Sequence, residues 1–296
     1  MKRRSFIKNT TLCAVAVSTS GFITFDGKRY TGDCETTTDI LGPFYRPDSP
    51  VRNNLVPKGV TSNLVELSGT IKHKDCTTPY KKAKIELWHC DPHGVYDNET
   101  SEYLYRGTTY SDDKGRYSFH TVLPVPYDIG AGFFRPAHFH LMITAASYQP
   151  LVTQLYFTGD PNIAKDITAS SVTAKRRILD IQNLNNGTKK VLFDVSMSDT
   201  LAAEPVAIDR IAGTYFDAAD KNSKTEFFRK DNILWMKNQV YGYNFDYIGN
   251  NTFQTPGPGD TITCHFEIMS GGSVKLTRTV IDDNGEKKVS TAIKEK

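Results

Sequence analysis

Cysteine and tryptophan are scarce in this chain of 296 residues, which has five of the first and two of the second. No two cysteines stand in a CxxC pair, so a structural zinc clip is not expected. No HExxH segment occurs, and the carboxylate base of that kind of zinc hydrolase is missing with it. Apolar runs are too short to cross a bilayer, so no membrane span is expected. An excess of one charge is lacking too. The 36 Lys and Arg stand against 33 Asp and Glu, for a formal net charge of +3. No basic stripe interleaved with aromatics stands out, so nucleic acid is not an expected partner. With 39% hydrophobic and 23% charged residues the composition is that of a soluble globular protein. The length suits one large domain or two modest ones.

The first 21 residues differ from the rest. Lys2, Arg3 and Arg4 lead into Phe6 and Ile7, then a weakly apolar run from Thr11 to Val17, then small residues. A basic start, a short apolar centre and a small-residue stretch predict an export signal. The paired arginines with Phe6 two positions on are similar to a twin-arginine signal, which would place the protein in the periplasm. That route carries folded proteins and suits an enzyme loaded with metal in the cytoplasm. An oxidising compartment permits disulfides. Cys76 and Cys90 flank one predicted turn and strand and are the first candidate pair, with free buried thiols as the alternative.

Alternation with period two dominates from about residue 63. Strands are expected at 65–71, 83–88, 116–120, 137–144, 151–157 and 191–197, with turn signals such as Asp91-Pro92-His93-Gly94 between them. One helix is expected near 171–182, with Lys175, Arg176 and Arg177 exposed. Residues 198–205 read as a linker, and short strands at 213–216, 224–229, 233–237, 261–268 and 273–280 follow it. The fold class is therefore all-β: a β-sandwich or barrel over 22–200 with few helices, then a small C-terminal β domain over 201–296. No catalytic constellation is visible in the second part, where His265 is the lone histidine.

Chemistry concentrates in Arg135-Pro136-Ala137-His138-Phe139-His140. On a strand His138 and His140 share one face, while Ala137, Phe139, Leu141 and Ile143 point to the other. Two imidazoles on one rigid element suit a metal site, although the segment alone also reads as the polar face of a surface strand. Tyr96 and Tyr127 each follow a tight turn, and each alone reads as a packing residue.

Taken together these segments resemble the intradiol ring-cleavage dioxygenases, a family that includes catechol, hydroxyquinol and protocatechuate dioxygenases. The resemblance covers about residues 36–198. It rests on Leu41-Gly-Pro-Phe-Tyr45, Trp88-His-Cys-Asp-Pro-His-Gly94-Val-Tyr96, Asp113-Lys-Gly115, Pro126-Tyr127, Arg135-Pro-Ala-His138-Phe-His140 and Gln154-Leu-Tyr-Phe157, in that order. It implies a β-sandwich core and Fe(III) ligated by Tyr96, Tyr127, His138 and His140. The implied reaction cleaves a catechol-type ring with O₂ to a muconate-type diacid. Phenolates are hard anionic oxygen donors that favour Fe(III), and the cation drives off their protons. By the same resemblance Tyr127 leaves the metal when a catechol binds. Arg135 and Gln154 form a polar pair beside the reacting ring, and Ile40, Leu41, Pro43 and Tyr45 belong to the substrate pocket. The partners expected are thus a small aromatic diol and O₂.

The chain departs from the family in three places. The core match begins directly after the signal, so dimerisation through a preceding helical segment is not expected. The stretch from Asp128 to Phe134 is glycine-rich, and Phe134 stands where a tryptophan often precedes the Arg-Pro pair. The region after 203 is absent from typical members. A competing reading makes the sandwich an inactive module that captures an aromatic or saccharide ligand. Retention of all four ligand positions with Arg135 and Gln154 speaks against it.

Overall fold

The computed structural model describes residues 34–296 except 131, 146, 147, 221 and 296. Of the first 33 residues it describes only the backbone of an antiparallel meander, β1 (Ala16–Ser18), β2 (Gly21–Phe25) and β3 (Tyr30–Asp33). The paired arginines and the start of the apolar run lie outside the described residues. No helix among the described residues is long and apolar enough to cross a membrane.

Two five-stranded sheets then pack face to face. In chain order the strands are β4 (Leu64–Lys72), β5 (Lys84–Trp88), β6 (Arg106–Tyr110), β7 (Arg116–Val122), the short hairpin β8 (Tyr127–Asp128) and β9 (Phe134–Arg135), β10 (His138–Thr144), β11 (Leu151–Phe157), β12 (Ile178–Leu179), β13 (Gln182–Asn183), β14 (Lys189–Leu192) and β15 (Val195–Ser196). One sheet has the order β12-β11-β10-β5-β6. The other runs β13-β14-β4-β15, with β7 paired to β4. Between them Ile85, Leu87, Phe139, Leu141, Leu155 and Val191 are almost wholly buried. These are the apolar positions that alternation assigns to one face.

The first sheet is covered on its second face as well. All seven residues of β11 are buried, as expected for a strand packed on both sides. His138, His140, Met142, Val152 and Gln154 alternate onto that second face, and it carries the site.

Three expectations are corrected. The helix near 171–182 is only a 3-10 turn, Val172–Arg177, after which the chain becomes β12 and β13. Ile178 pairs in parallel with Tyr156 at the sheet edge, and Arg177 is fully buried because its guanidinium joins the buried Asp39 carboxylate. The strand expected over 191–197 is two strands. Phe193 lies between them, and its carbonyl presses on Gly69, where a Cβ would overlap it. The disulfide joins Cys34 to Cys76, not Cys76 to Cys90. Cys76 sits in an exposed turn, whereas Cys90 is a buried free thiol that donates to the Val125 carbonyl on the site side.

After Ala203 a short helix, α1 (Pro205–Ile211), leads into eight strands: β16 (Gly213–Asp217), β17 (Lys224–Lys230), β18 (Ile233–Lys237), β19 (Gly242–Gly249), β20 (Thr252–Gln254), β21 (Thr261–Ile268), β22 (Val274–Ile281) and β23 (Lys287–Lys294). Each pairs antiparallel with the next and β16 pairs with β23, so the barrel is closed. Closure leaves no free sheet edge. Tyr215, Phe227, Phe245, Phe253 and Phe266 fill the interior, and Ile208 and Ile211 of α1 join them.

The barrel packs against the strap of residues 39–48 and the segment just before β11. Trp235 stacks on Tyr45 at 5.3 Å, Gln149 Nε2 donates to the Tyr247 carbonyl at 2.7 Å, and Lys230 pairs with Asp48 at 2.6 Å. Gly257 has φ +85°, and a Cβ there would lie 2.7 Å from the Asp39 carbonyl carbon. Asp246 of β19 is half-buried near this seam, and its buried Oδ1 has no hydrogen-bond partner among the described residues. Burial pushes its carboxyl up to about 7. The folded chain therefore holds that proton to about pH 7, whereas an unfolded Asp releases it near pH 3.9. Between those values the folded state binds more protons, so stability falls as pH rises through the window. Asp246→Asn is neutral throughout. Its gain in melting temperature over the parent is expected to be larger at pH 8 than at pH 4. Equal gains at both would show that the carboxyl is not held protonated.

Candidate metal centre

Strand β10 fixes the histidines. His138 and His140 are each 1% exposed, and their Nε2 atoms lie 3.1 Å apart. The loop after β5 brings in Tyr96, whose hydroxyl lies 3.3 Å from His138 Nε2 and 3.1 Å from His140 Nε2. Gly94 makes that approach possible: with φ +82°, a Cβ there would lie 2.7 Å from the Tyr127 Cβ. The Tyr127 ring closes the fourth side, 5.7 Å from both the Tyr96 and His138 rings. Tyr127 is half-buried at the rim, whereas Tyr96 is buried.

The donor chemistry suits a cation. Nδ1 of His138 donates to the Pro136 carbonyl at 2.6 Å, since a carbonyl only accepts, and this leaves the Nε2 lone pair aimed at the centre. His140 stacks on Trp88 at 4.9 Å, and its Nδ1 has no protein partner among the described residues. Three donor atoms with mutual separations of 3.1–3.3 Å match neighbouring ligands that each stand about 2.1 Å from one ion. Among the described residues no group of three His, Cys, Asp or Glu could hold a metal. The donors that converge here are two imidazoles and two phenols.

Burial decides the protonation states. It pulls His138 down to about 3, helped by the Arg135 charge, and takes His140 well below its ordinary value with His138 beside it. Both imidazoles are thus neutral and able to ligate at physiological pH. Burial, and then Tyr127, push the Tyr96 phenol well above its usual value. Burial also raises Tyr127, with Arg135 partly opposing. Only a strong local positive charge would ionise these phenols, and a bound cation supplies one.

Arg135 faces Tyr127 across the β8–β9 pair. Its Nε donates to Asp166 at 2.5 Å, and its Nη2 donates to Gln154 Oε1 at 2.8 Å and Thr168 Oγ1 at 3.1 Å. Burial works against the Asp166 carboxylate, but Arg135 and hydrogen bonds from Ala169 and Thr168 outweigh it and hold the group below its usual range. Gln154 Nε2 donates to the Ile40 carbonyl at 2.7 Å. Behind it the Tyr156 hydroxyl donates to Asp39 at 2.9 Å, and Asp39 pairs with Arg177.

The strap meets the centre through residues the sequence reading did not choose. A Cβ on Gly42 would lie 3.1 Å from His140 Cε1, and Phe44 stacks on Tyr96 at 4.4 Å. Of the chosen four, Ile40 meets Gln154 through its carbonyl and Leu41 is buried against the site cluster. Pro43 is exposed. Tyr45 lies away in the seam between Trp88 and Trp235, and its hydroxyl donates to Glu86 at 3.3 Å. Asp166, Thr168 and Asp39 were also missed, because nothing in their local sequence signals a role. Their contacts with Arg135, Tyr156 and Arg177 span 31 to 138 residues. His89 is structural: its ring nitrogens meet the Cys90 carbonyl and Thr121 Oγ1, both at 2.7 Å. His93 and His120 are exposed.

A family model described as "Dioxygenase" matches residues 40–199. Chlorocatechol 1,2-dioxygenase of Rhodococcus opacus is 32% identical over 169 residues, which are 48% of this chain and 64% of that protein. Catechol 1,2-dioxygenase of Candida albicans is 35% identical over 152 residues, 44% of this chain and 50% of that protein. The chain thus spans between half and two thirds of the length of these relatives. The crystal structure of 3-chlorocatechol 1,2-dioxygenase from Rhodococcus opacus has a TM-score of 0.50 and 23% identity, covers 55% of this chain and 72% of that one, and supports the fold. The matched residues contain the whole sandwich and the cluster of Tyr96, Tyr127, His138 and His140, and the chain belongs to the intradiol ring-cleavage dioxygenases.

Proposed function

We propose that the chain holds Fe(III) through Tyr96, Tyr127, His138 and His140 and cleaves the ring of a catechol-type substrate between its two hydroxylated carbons. Both atoms of O₂ would enter the product, a muconate-type diacid. The observation that carries this reading is the convergence of two imidazole Nε2 atoms and the Tyr96 hydroxyl within 3.3 Å of one another, beside the Tyr127 ring and the Arg135 guanidinium. Ferric iron held there would supply Lewis-acid chemistry that favours the anionic form of a catechol and activates its ring towards O₂.

The protein's own residues supply the rest. His138 and His140 give two neutral donors on a rigid strand, with the His138 tautomer set by Pro136. Tyr127 is the phenol at the rim, so it is the donor that an arriving diol can displace. Burial raises its proton affinity, so as a free phenolate it would be able to accept a proton from the diol. Arg135 brings a fixed positive charge beside the ring, pinned by Asp166, Gln154 and Thr168. A charge held in place before reaction stabilises negative charge developing on the ring without reorganisation. Phe44 and Trp88 help wall the donors from water by stacking on Tyr96 and His140.

The visible absorption spectrum tests this reading. Protein loaded with Fe(III) is expected to be wine-red from tyrosinate-to-iron charge transfer, to shift colour when catechol is added anaerobically, and to consume one O₂ per ring when air is admitted. A protein that stays colourless after loading would rule out the iron–tyrosinate centre. We also propose that the protein is exported through the signal over residues 1–21. A Cys34–Cys76 disulfide is consistent with an oxidising compartment.

A further inference from the structure

The hairpin between Tyr127 and Arg135 presents an apolar surface next to the site. Tyr127 pairs with Arg135 and Asp128 with Phe134, and the Ile129 amide continues the ladder to the Phe133 carbonyl at 2.9 Å. Side chains alternate along each strand, so Ile129 and Phe133 share the face of Tyr127 and Arg135, and Phe134 lies on the opposite face. Ile129 is 62% exposed and Phe133 is 67% exposed. They stand two residues beyond Tyr127 and Arg135, about 7 Å further out along the strands. Gly130 at φ +112° and Gly132 at φ +75° turn the chain tightly between them. Ile167, also 67% exposed, lies between Asp166 and Thr168, two of the residues that hold Arg135.

Exposed apolar side chains beside a polar site need an account. Two or three side chains offer far less than the about 800 Å² per partner of a stable protein interface. The segment carries no cation to attract an anionic membrane, since its single charge is Asp128, on the far face. Sharing the face of Tyr127 and Arg135, the rung of Ile129 and Phe133 flanks the rim of the centre.

We propose that the Ile129–Phe133 rung is the specificity element of this enzyme, an apolar shelf that receives the ring substituent of a catechol. The substrate class is then catechols with a bulky alkyl or aryl group on the ring carbons remote from the hydroxyls, in preference to bare catechol. This inference rests on the dioxygenase reading for the placement of the ring. Alternation selects Phe133 for this shelf and turns Phe134 to the opposite face.

The test is anaerobic calorimetry on the iron-loaded full chain with catechol and 4-tert-butylcatechol. The parent protein is expected to bind the substituted ligand at least about tenfold tighter, the scale of one to two buried methyl groups. Ile129→Ser with Phe133→Ser is expected to bring that ratio close to one and leave the affinity for bare catechol unchanged. Phe134→Ser, on the opposite face, is expected to keep the parent ratio. A parent ratio near one would overturn the shelf, as would a ratio retained in the double variant or lost equally in Phe134→Ser. Turnover of bare catechol in air, measured on the same preparations, judges the dioxygenase reading separately: its absence would refute that reading, while the ratio of affinities still decides the shelf.

Discussion

His138→Gln is expected to remove together the visible colour and the ring-cleaving activity of the proposed centre. Loss of an outer contact to a metal-bound histidine already costs about 10- to 100-fold in metal affinity or activity. Loss of a direct donor is therefore expected to exceed the upper end of that range. The expectation follows from the geometry of β10: His138 Nε2 lies 3.1 Å from His140 Nε2 and 3.3 Å from the Tyr96 hydroxyl, so it is central to the donor set. Glutamine keeps a polar group near the Pro136 carbonyl and limits the cavity left behind. The fold is carried by Phe139, Leu141 and Ile143 on the other face, all fully buried. The far-ultraviolet dichroism should therefore match the parent while bound iron, measured by elemental analysis, falls. A variant that retained stoichiometric iron and colour would remove His138 from the ligand set.

Arg135→Met combined with Asp166→Asn separates metal binding from turnover. Changing Arg135 alone would leave the Asp166 carboxylate buried without its partner, which costs about 3–5 kcal/mol and confounds the result. The pair removes both charges. Iron content and colour are expected to persist, because neither residue belongs to the donor set. Turnover of catechol is expected to fall by about 10²- to 10³-fold, the usual cost of losing one preorganised charge-stabilising donor. Arg135→Lys keeps a charge but cannot reproduce the fork that meets Asp166, Gln154 and Thr168 at once. It is expected to recover only part of the loss. Full activity in the double variant would reduce Arg135 to a structural anchor.

Other features locate the limits of local sequence. The disulfide was misassigned because Cys34 and Cys76 are 42 residues apart. Their approach depends on how the segment before β4 runs along the sandwich. In place of the helix expected at 171–182 a 3-10 turn runs into β12 and β13, and Arg177 meets the buried Asp39 from 138 residues away. The strap of residues 39–48 does pack on the centre, but it touches His140 and Tyr96 through Gly42 and Phe44. The barrel draws Tyr45 into a stack with Trp235, and nothing near Tyr45 in the sequence announces that partner.

Periodicity and motif spacing determined what depends on neighbours along the chain. They gave an all-β chain, the shared face of His138 and His140, the turns that precede Tyr96 and Tyr127, and a second β region after residue 203. Each is set by a backbone repeat or a turn preference that operates over a few residues. The tertiary structure decided the rest: closure of the eight-stranded barrel, its packing on the strap, the Asp166 anchor of Arg135 and the outward apolar rung of the β8–β9 hairpin. These depend on which buried charges meet and which faces of remote strands share one core, and burial energy is a property of the whole fold, not of any local stretch.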